Sequence, residues 1–290
     1  MRKIKPALLL VLLSTSSANA EVIKPTYGAT LTDYMAFKSV STATHRYYYG
    51  IDKENNFFDF YAPKELDKSK PAIAVIHGGC WDSKFEGFQQ SGEAVDFFLK
   101  NGYAVFNVEY TKADTHGGYP TTYNDISNAL IKITEVLNGK KITESGITLI
   151  GHSAGGHLAA WAASGGEGAH TKDYLNKVKI NQAIGLGAIV DLNVAETACP
   201  NITRFGGIEK ISGKKMELTS PILMKNNTRI TLINGGKDTV APGKYAENYV
   251  EKHKGNVSFS IIPEATHYDL MSSKSGVLNK VLDAITNKEH

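Results

Sequence analysis

The sequence predicts an α/β fold: a mostly parallel central sheet with helices on both faces. Short apolar, β-branched runs alternate with segments whose apolar residues repeat at helical spacing, the pattern of strand–helix–strand units. Several of the short runs are apolar at every position, as strands are when both faces of their sheet are covered. The chain has 290 residues, 42% of them apolar, and a net charge of +3, so it is long enough for one large core and ordinary for a globular protein.

The strand-like runs come in order as "AIAVIHGG" (72–79), "YAVFNVEY" (103–110), "GITLIGHS" (146–153), "AIGLGAIVDL" (183–192), "RITLINGG" (229–236) and "VSFSIIP" (257–263). Between the first two, Ala94, Val95, Phe98 and Leu99 mark a helix, and Gly102 supplies its C-terminal stop. Over 122–138, Ile126, Ala129, Leu130, Ile133, Val136 and Leu137 fall on one helix face. "AGGHLAAWAA" continues the third run as a helix, and Val277, Leu278, Val281, Leu282 and Ile285 form a last one. No internal repeat, low-complexity stretch or linker interrupts this order, which reads as one domain over 21–290.

Residues 1–20, "MRKIKPALLLVLLSTSSANA", read as a signal peptide. Arg2, Lys3 and Lys5 precede a short apolar run, and Ala18-Asn19-Ala20 has the small-x-small pattern of a signal peptidase site. The run is too short for a permanent membrane span. The expectation is an exported protein, periplasmic or secreted, with no membrane association after cleavage. The basic residues are scattered rather than gathered on one stripe, which excludes the electrostatic footprint of a nucleic-acid binder.

The chemistry points to "GHSAGGH" (151–157). Ser153 lies in a G-x-S-x-G pattern where a strand run passes into a helical one, the context a strained nucleophile turn requires. Glycines flank it because side chains there would strike the neighbouring strand or helix. A serine nucleophile needs a base, and the base an orienting acid. Of nine histidines, His267 in "IIPEATHYDL" follows the last strand run, and working residues of α/β sheets sit at strand C-terminal ends. His152 and His157 flank the serine and read as packing; His45, His170, His253 and His290 read as solvated, and His116 as a surface loop residue. Asp238, just past the "RITLINGG" run, is preferred as the acid over Asp191, which also ends a run. Asp269 reads as a loop or helix-cap residue. The chain order Ser153, Asp238, His267 separates this arrangement from other serine-hydrolase folds.

Together "HGGCW", "GHSAGGH", "GGKDTVAP" and "EATHYDL" resemble the α/β-hydrolases. The chain is most similar to the HGG-x-W branch, which includes arylformamidases and bacterial carboxylesterases of feruloyl and acetyl esterase type. The resemblance runs from about residue 49 to the end. It implies an α/β-hydrolase fold with a small cap, placed at 193–228, and no metal or cofactor. It implies an oxyanion hole from the N–H groups of Gly79, Cys80 and Ala154, with Gly78 letting the chain bend close and His77 bracing the loop. Trp81 either packs in the core or walls the acyl pocket. The expected activity is hydrolysis of small or medium carboxylic esters, small-molecule substrates, through an acyl-enzyme. The alternatives are an arylformamidase using the same residues and a hydrolase fold without catalysis that serves in binding.

The two cysteines, Cys80 and Cys199, each follow a strand run, and both are expected at the sheet's C-terminal face. A bridge clamping the cap to the oxyanion loop and a pair of buried free thiols both fit an exported chain.

Overall fold

The computed structural model describes residues 24–286, apart from 86, 144, 167–176 and 227. The signal-peptide reading of 1–20 and the readings of His170 and His290 lie outside the described residues.

Among the described residues eight strands form one sheet: β1 (His45–Tyr48), β2 (Phe57–Tyr61), β3 (Ala72–Ile76), β4 (Val105–Val108), β5 (Ile147–His152), β6 (Ile180–Leu186), β7 (Arg229–Gly235) and β8 (Val257–Ile262). The order across the sheet is β1-β2-β4-β3-β5-β6-β7-β8. From β4 to β8 every pairing is parallel, while β1–β2 and β2–β4 are antiparallel. The six sequence-predicted runs are β3 to β8. The run at 183–192 ends earlier, at Leu186, because Gly187 takes φ +54° and turns the chain toward the site. β1 and β2 escape the apolar-run criterion. β1 is an exposed edge strand, "HRYY", and β2 carries the buried Asp59, whose carboxylate takes two hydrogen bonds (2.7 and 2.8 Å) from Arg46 of β1.

Nine helices are found among the described residues: α1 (Leu31–Met35), α2 (Gly92–Lys100), α3 (Thr121–Lys140), α4 (Ala154–Ala163), α5 (Ala195–Ala198), α6 (Gly207–Ser212), α7 (Met216–Thr219), α8 (Gly243–Lys252) and α9 (Val277–Thr286). β3 shows how they divide. Ala72, Ala74 and Ile76 face a core with α3, α4 and α8; Ile73 and Val75 face a second core with α1, α2 and α9. Alternate side chains of a strand point to opposite faces, so both sheet faces are covered, as the apolar runs predict. α2 stops where Gly102, at φ +79°, donates to Leu99 O. The cap expected at 193–228 is a string of short helical turns, including α5, α6 and α7.

Residues 24–43 run back across the molecule before β1. Asp269, buried near the chain's other end, accepts hydrogen bonds from the N–H groups of Gly28 (2.8 Å) and Ala29 (3.0 Å), and Thr266 Oγ1 donates to Ala29 O (2.7 Å). This strap lays α1 over the C-terminal ends of the parallel strands.

Candidate active site

Ser153 occupies the single residue between β5 and α4. Its φ is +54° and ψ −118°, a region closed to most side-chain-bearing residues. The flanking glycines show what forces this geometry. A Cβ on Gly151 would lie 2.2 Å from Gly155 O, and one on Gly155 would lie 2.2 Å from Ile76 O and 2.3 Å from His77 O. The turn is wedged between β3 and its own helix, so G-x-S-x-G is a packing requirement here. Ser153 N donates to Leu186 O at 2.9 Å, which ties the turn to β6.

His267 sits on the loop after β8 and Asp238 on the loop after β7. His267 Nδ1 lies 2.7 Å from Asp238 Oδ2, and both side chains are buried. The second oxygen, Asp238 Oδ1, accepts from the N–H groups of Val240 (2.9 Å) and Ala241 (2.7 Å). Since carboxylate oxygens accept, Nδ1 carries the proton of neutral His267 and Nε2 is left bare. Asp191 is elsewhere: it accepts from Asn193 N at 2.9 Å and caps a short turn. Asp269 serves the strap.

Ser153 and His267 line a small hollow of about 40 Å³ together with Gly79 and Cys80. Leu31 and Tyr34 of α1, Phe85, Val240 and Tyr268 wall it. A larger open groove, about 1000 Å³, lies beside Lys64, Asp67, Lys70 and Asp96. It is at the N-terminal ends of the strands, away from Ser153.

The oxyanion-loop residues of the sequence reading come together beside Ser153. Gly79, Cys80 and Trp81 all have positive φ, +106°, +54° and +53°, and Asp82 N closes the turn on Gly79 O at 2.9 Å. Ala154 opens α4, where backbone N–H groups have no helical partner. Gly78 must be glycine, because a Cβ there would sit 2.8 Å from His152 Nδ1 and 3.1 Å from Ser153 Cβ. His77 is buried and stacked on Tyr110 at 4.2 Å; its Nδ1 donates to Gly78 O (2.7 Å) and its Nε2 faces Glu109 Oε1 (2.9 Å). Burial alone would raise the Glu109 carboxyl, but His77 and the hydrogen-bonded Lys112 ammonium bring it down to about 2. Trp81 is 1% exposed, packs edge-on to His157 and does not line the hollow, so of its two readings the structure assigns the core.

Cys80 and Cys199 form a disulfide, with Cα atoms 5.6 Å apart. Two residues on, Asp82 Oδ2 accepts from Asn201 Nδ2 (2.7 Å) and Arg204 Nη2 (2.9 Å) of the cap. The cap is also held from behind: His157 Nε2 donates to Thr219 O (2.8 Å) and Trp161 Nε1 to Leu218 O (3.0 Å). His157 and His152 are packing groups, as their sequence reading has it, and burial holds the His157 ring down to about 4. His116 and His45 are exposed. His253 departs from its reading as solvated: it is half-buried, lies against Tyr249, and Nε2 donates to Ile222 O (3.1 Å).

Sequence reasoning missed three contributors. Gly187 passes beneath the His267–Asp238 pair; its one signal is a glycine just past a strand. Glu109 anchors His77, and its signal is an acid ending a strand run beside the oxyanion loop. Tyr34 enters from α1 with no sequence signal at all. Among the described residues, no three His, Cys, Asp or Glu side chains converge as a metal site requires, and no helix is long and apolar enough to cross a membrane.

The BD-FAE family model matches residues 58–252. The chain is 23% identical over 237 residues to a kynurenine formamidase of Danio rerio, covering 76% of this chain and 73% of that protein. It is 27% identical over 126 residues to a phospholipase A1 of Solenopsis invicta, covering 39% of this chain and about a third (34%) of that protein's length. The fold superposes on a truncated carbohydrate esterase from gut microbiota with a TM-score of 0.69 at 20% identity, covering 87% of this chain and 98% of that one.

Proposed function

The chain belongs to the BD-FAE family of α/β-hydrolases, and on that premise we propose that it is an exported serine hydrolase of carboxylic esters with short acyl groups. The observation that carries this reading is the convergence of Ser153, the oxyanion turn and the Asp238-bound His267 on one small hollow.

In the proposed mechanism His267 Nε2 takes the Ser153 hydroxyl proton as Oγ bonds to the ester carbonyl carbon. The carbonyl oxygen, now an oxyanion, accepts from the N–H groups of Gly79, Cys80 and Ala154; one such donor supports about 3–4 kcal/mol of barrier lowering. Asp238 fixes the imidazole tautomer and stabilises the imidazolium. The tetrahedral adduct collapses, the C–O bond to the alcohol breaks, and the imidazolium returns its proton to the departing alkoxide. Water, deprotonated by the same Nε2, repeats the sequence on the acyl-enzyme and releases the acid.

Acyl size is argued from the hollow. Its space of about 40 Å³, walled by Leu31, Tyr34, Phe85, Val240 and Tyr268, suits a small acyl group. The name of the carbohydrate esterase neighbour makes acylated sugars one alcohol class to test. Export is supported by the signal pattern at 1–20 and by the Cys80–Cys199 disulfide, which persists in oxidising compartments. The similarity to a kynurenine formamidase supports a second reading, hydrolysis of an aryl formamide, because a formyl group also fits the hollow.

The test is hydrolysis of p-nitrophenyl acetate beside N-formylkynurenine. Ester turnover that Ser153→Ala lowers by at least about 10⁴-fold is expected. Turnover that survives Ser153→Ala rejects the mechanism, and a preference for the formamide selects the second reading.

A further inference from the structure

The strap brings a tyrosine into the centre of the site from outside the family-matched region, which begins at residue 58. Tyr34 is 2% exposed, and its ring packs against those of His152 (centroids 5.1 Å apart), Tyr268 (5.6 Å) and Phe37 (5.9 Å). Its hydroxyl lies 3.2 Å from His152 Nδ1, and His152 Nε2 lies 3.0 Å from the backbone carbonyl of His267.

The directions of these bonds follow from their partners. A carbonyl only accepts, so His152 Nε2 carries the hydrogen. Burial holds the His152 ring well below the ordinary histidine value and so neutral, which leaves Nδ1 bare. Tyr34 is therefore the donor, and burial keeps its phenol protonated far above the ordinary range. The chain of donation runs from Tyr34 to His152 to His267. Gly78 packs against the same imidazole, with no room for a side chain. One ring, the neighbour of Ser153 in sequence, thus touches the oxyanion turn on one side and the backbone of His267 on the other.

The geometry points to Tyr34 as a positioning residue: its hydroxyl fixes the His152 tautomer, and His152 in turn holds the His267 backbone in place relative to Ser153 and the oxyanion turn. Without the hydroxyl, His152 Nδ1 is a buried acceptor with no donor, and the ring gains reason to flip or change tautomer. The hydrogen bond to the His267 carbonyl is then lost, and the base drifts while the hollow keeps its shape. This assignment rests on the ester-hydrolase reading above.

The experiment compares wild type, Tyr34→Phe, His152→Gln and the double variant on p-nitrophenyl acetate, with thermal midpoints for each. Phenylalanine keeps the buried ring and removes the hydroxyl, which besides donating to His152 also meets the Gly78 backbone N–H. The expected result for Tyr34→Phe is a kcat lower by about tenfold or more, a KM within about threefold of wild type, and an equal slowing of Ser153 labelling by an organophosphonate. In the His152→Gln background, removing the Tyr34 hydroxyl should add little, because both changes break the same chain. An unchanged kcat in Tyr34→Phe, a change in KM alone, or effects that simply multiply in the double variant would overturn the assignment. If Tyr34→Phe lowers the midpoint sharply, the labelling rate well below that midpoint decides. A wild type that neither hydrolyses the ester nor reacts with the phosphonate rejects the esterase reading itself, and the assignment with it.

Discussion

Gly187 stands directly under His267: a Cβ at Gly187 would lie 2.8 Å from His267 Nδ1 and 3.0 Å from Asp238 Oδ2. The turn that ends β6 is the floor on which the proposed base and its acid lie. Gly187→Ala meets two penalties, a positive φ costing about 1–2 kcal/mol and a methyl group that displaces the imidazole. A base displaced by about 1 Å can cost about 100-fold in rate. The expected outcome is a kcat loss of that order on p-nitrophenyl acetate with a thermal midpoint only a few degrees lower. Activity near wild type would show that the pair tolerates displacement.

Acyl chain length gives a second prediction. Leu31 is 40% exposed at the rim of the hollow and belongs to the strap. Activity should fall along acetate, butyrate and octanoate p-nitrophenyl esters, with octanoate at least about tenfold below acetate in kcat/KM, since a pocket penalises ill-fitting methylenes by about 1–3 kcal/mol. Leu31→Ala should narrow that gap by raising octanoate turnover. An unchanged ratio would remove the strap from acyl selection.

The disulfide supplies a third. Cys80 contributes both a bond to the cap and a left-handed turn residue in the proposed oxyanion loop. Reduction, or Cys199→Ser, should cost about 2–4 kcal/mol of stability and lower kcat, because the turn loses its tether while Asp82 still holds Asn201 and Arg204. Calorimetry and ester assays with and without reductant would check both halves.

Acid sensitivity is the fourth. An unfolded chain protonates His157 below about 6.5, while the folded protein resists until about 4. Its contribution is whole above pH 6.5 and declines as pH falls toward 4, to a total of about 3 kcal/mol. His152 acts in the same direction. Glu109 adds a separate loss at lower pH, as the solution falls from 4.5 toward 2. Thermal midpoints at pH 7, 5.5 and 4.5 should drop in order, and more gently in His157→Gln, whose amide still donates to Thr219 O.

Ser153, Asp238, His267 and the Gly78–Cys80 turn were legible because each follows a strand run, and the sheet delivers those ends to one face. The elbow glycines were legible from the G-x-S-x-G pattern, although only the reason for Gly151, its contact with Gly155, is local; Gly155 is forced by the β3 carbonyls of Ile76 and His77. β1 and β2 were not, since an edge strand needs no apolar face and Asp59, paired with Arg46, interrupts the apolar run of β2. Tyr34 was beyond reach for another reason. Its partner His152 is 118 residues away, and no pattern within a segment encodes a contact made between segments. The disulfide was left open for the same cause, because it depends on how the cap lies over the oxyanion loop.

The strap also sets when the protein can begin to work. Gly28 and Ala29 precede their anchor, Asp269, by 241 and 240 positions. His267 stands two residues before that anchor. A growing or truncated chain that stops short of this point lacks the proposed base and leaves the strap, with Tyr34 and Leu31, without its dock. The strap and the proposed base are thus completed together, so the proposed hydrolysis would report a chain made at least through Asp269 and closed on its strap.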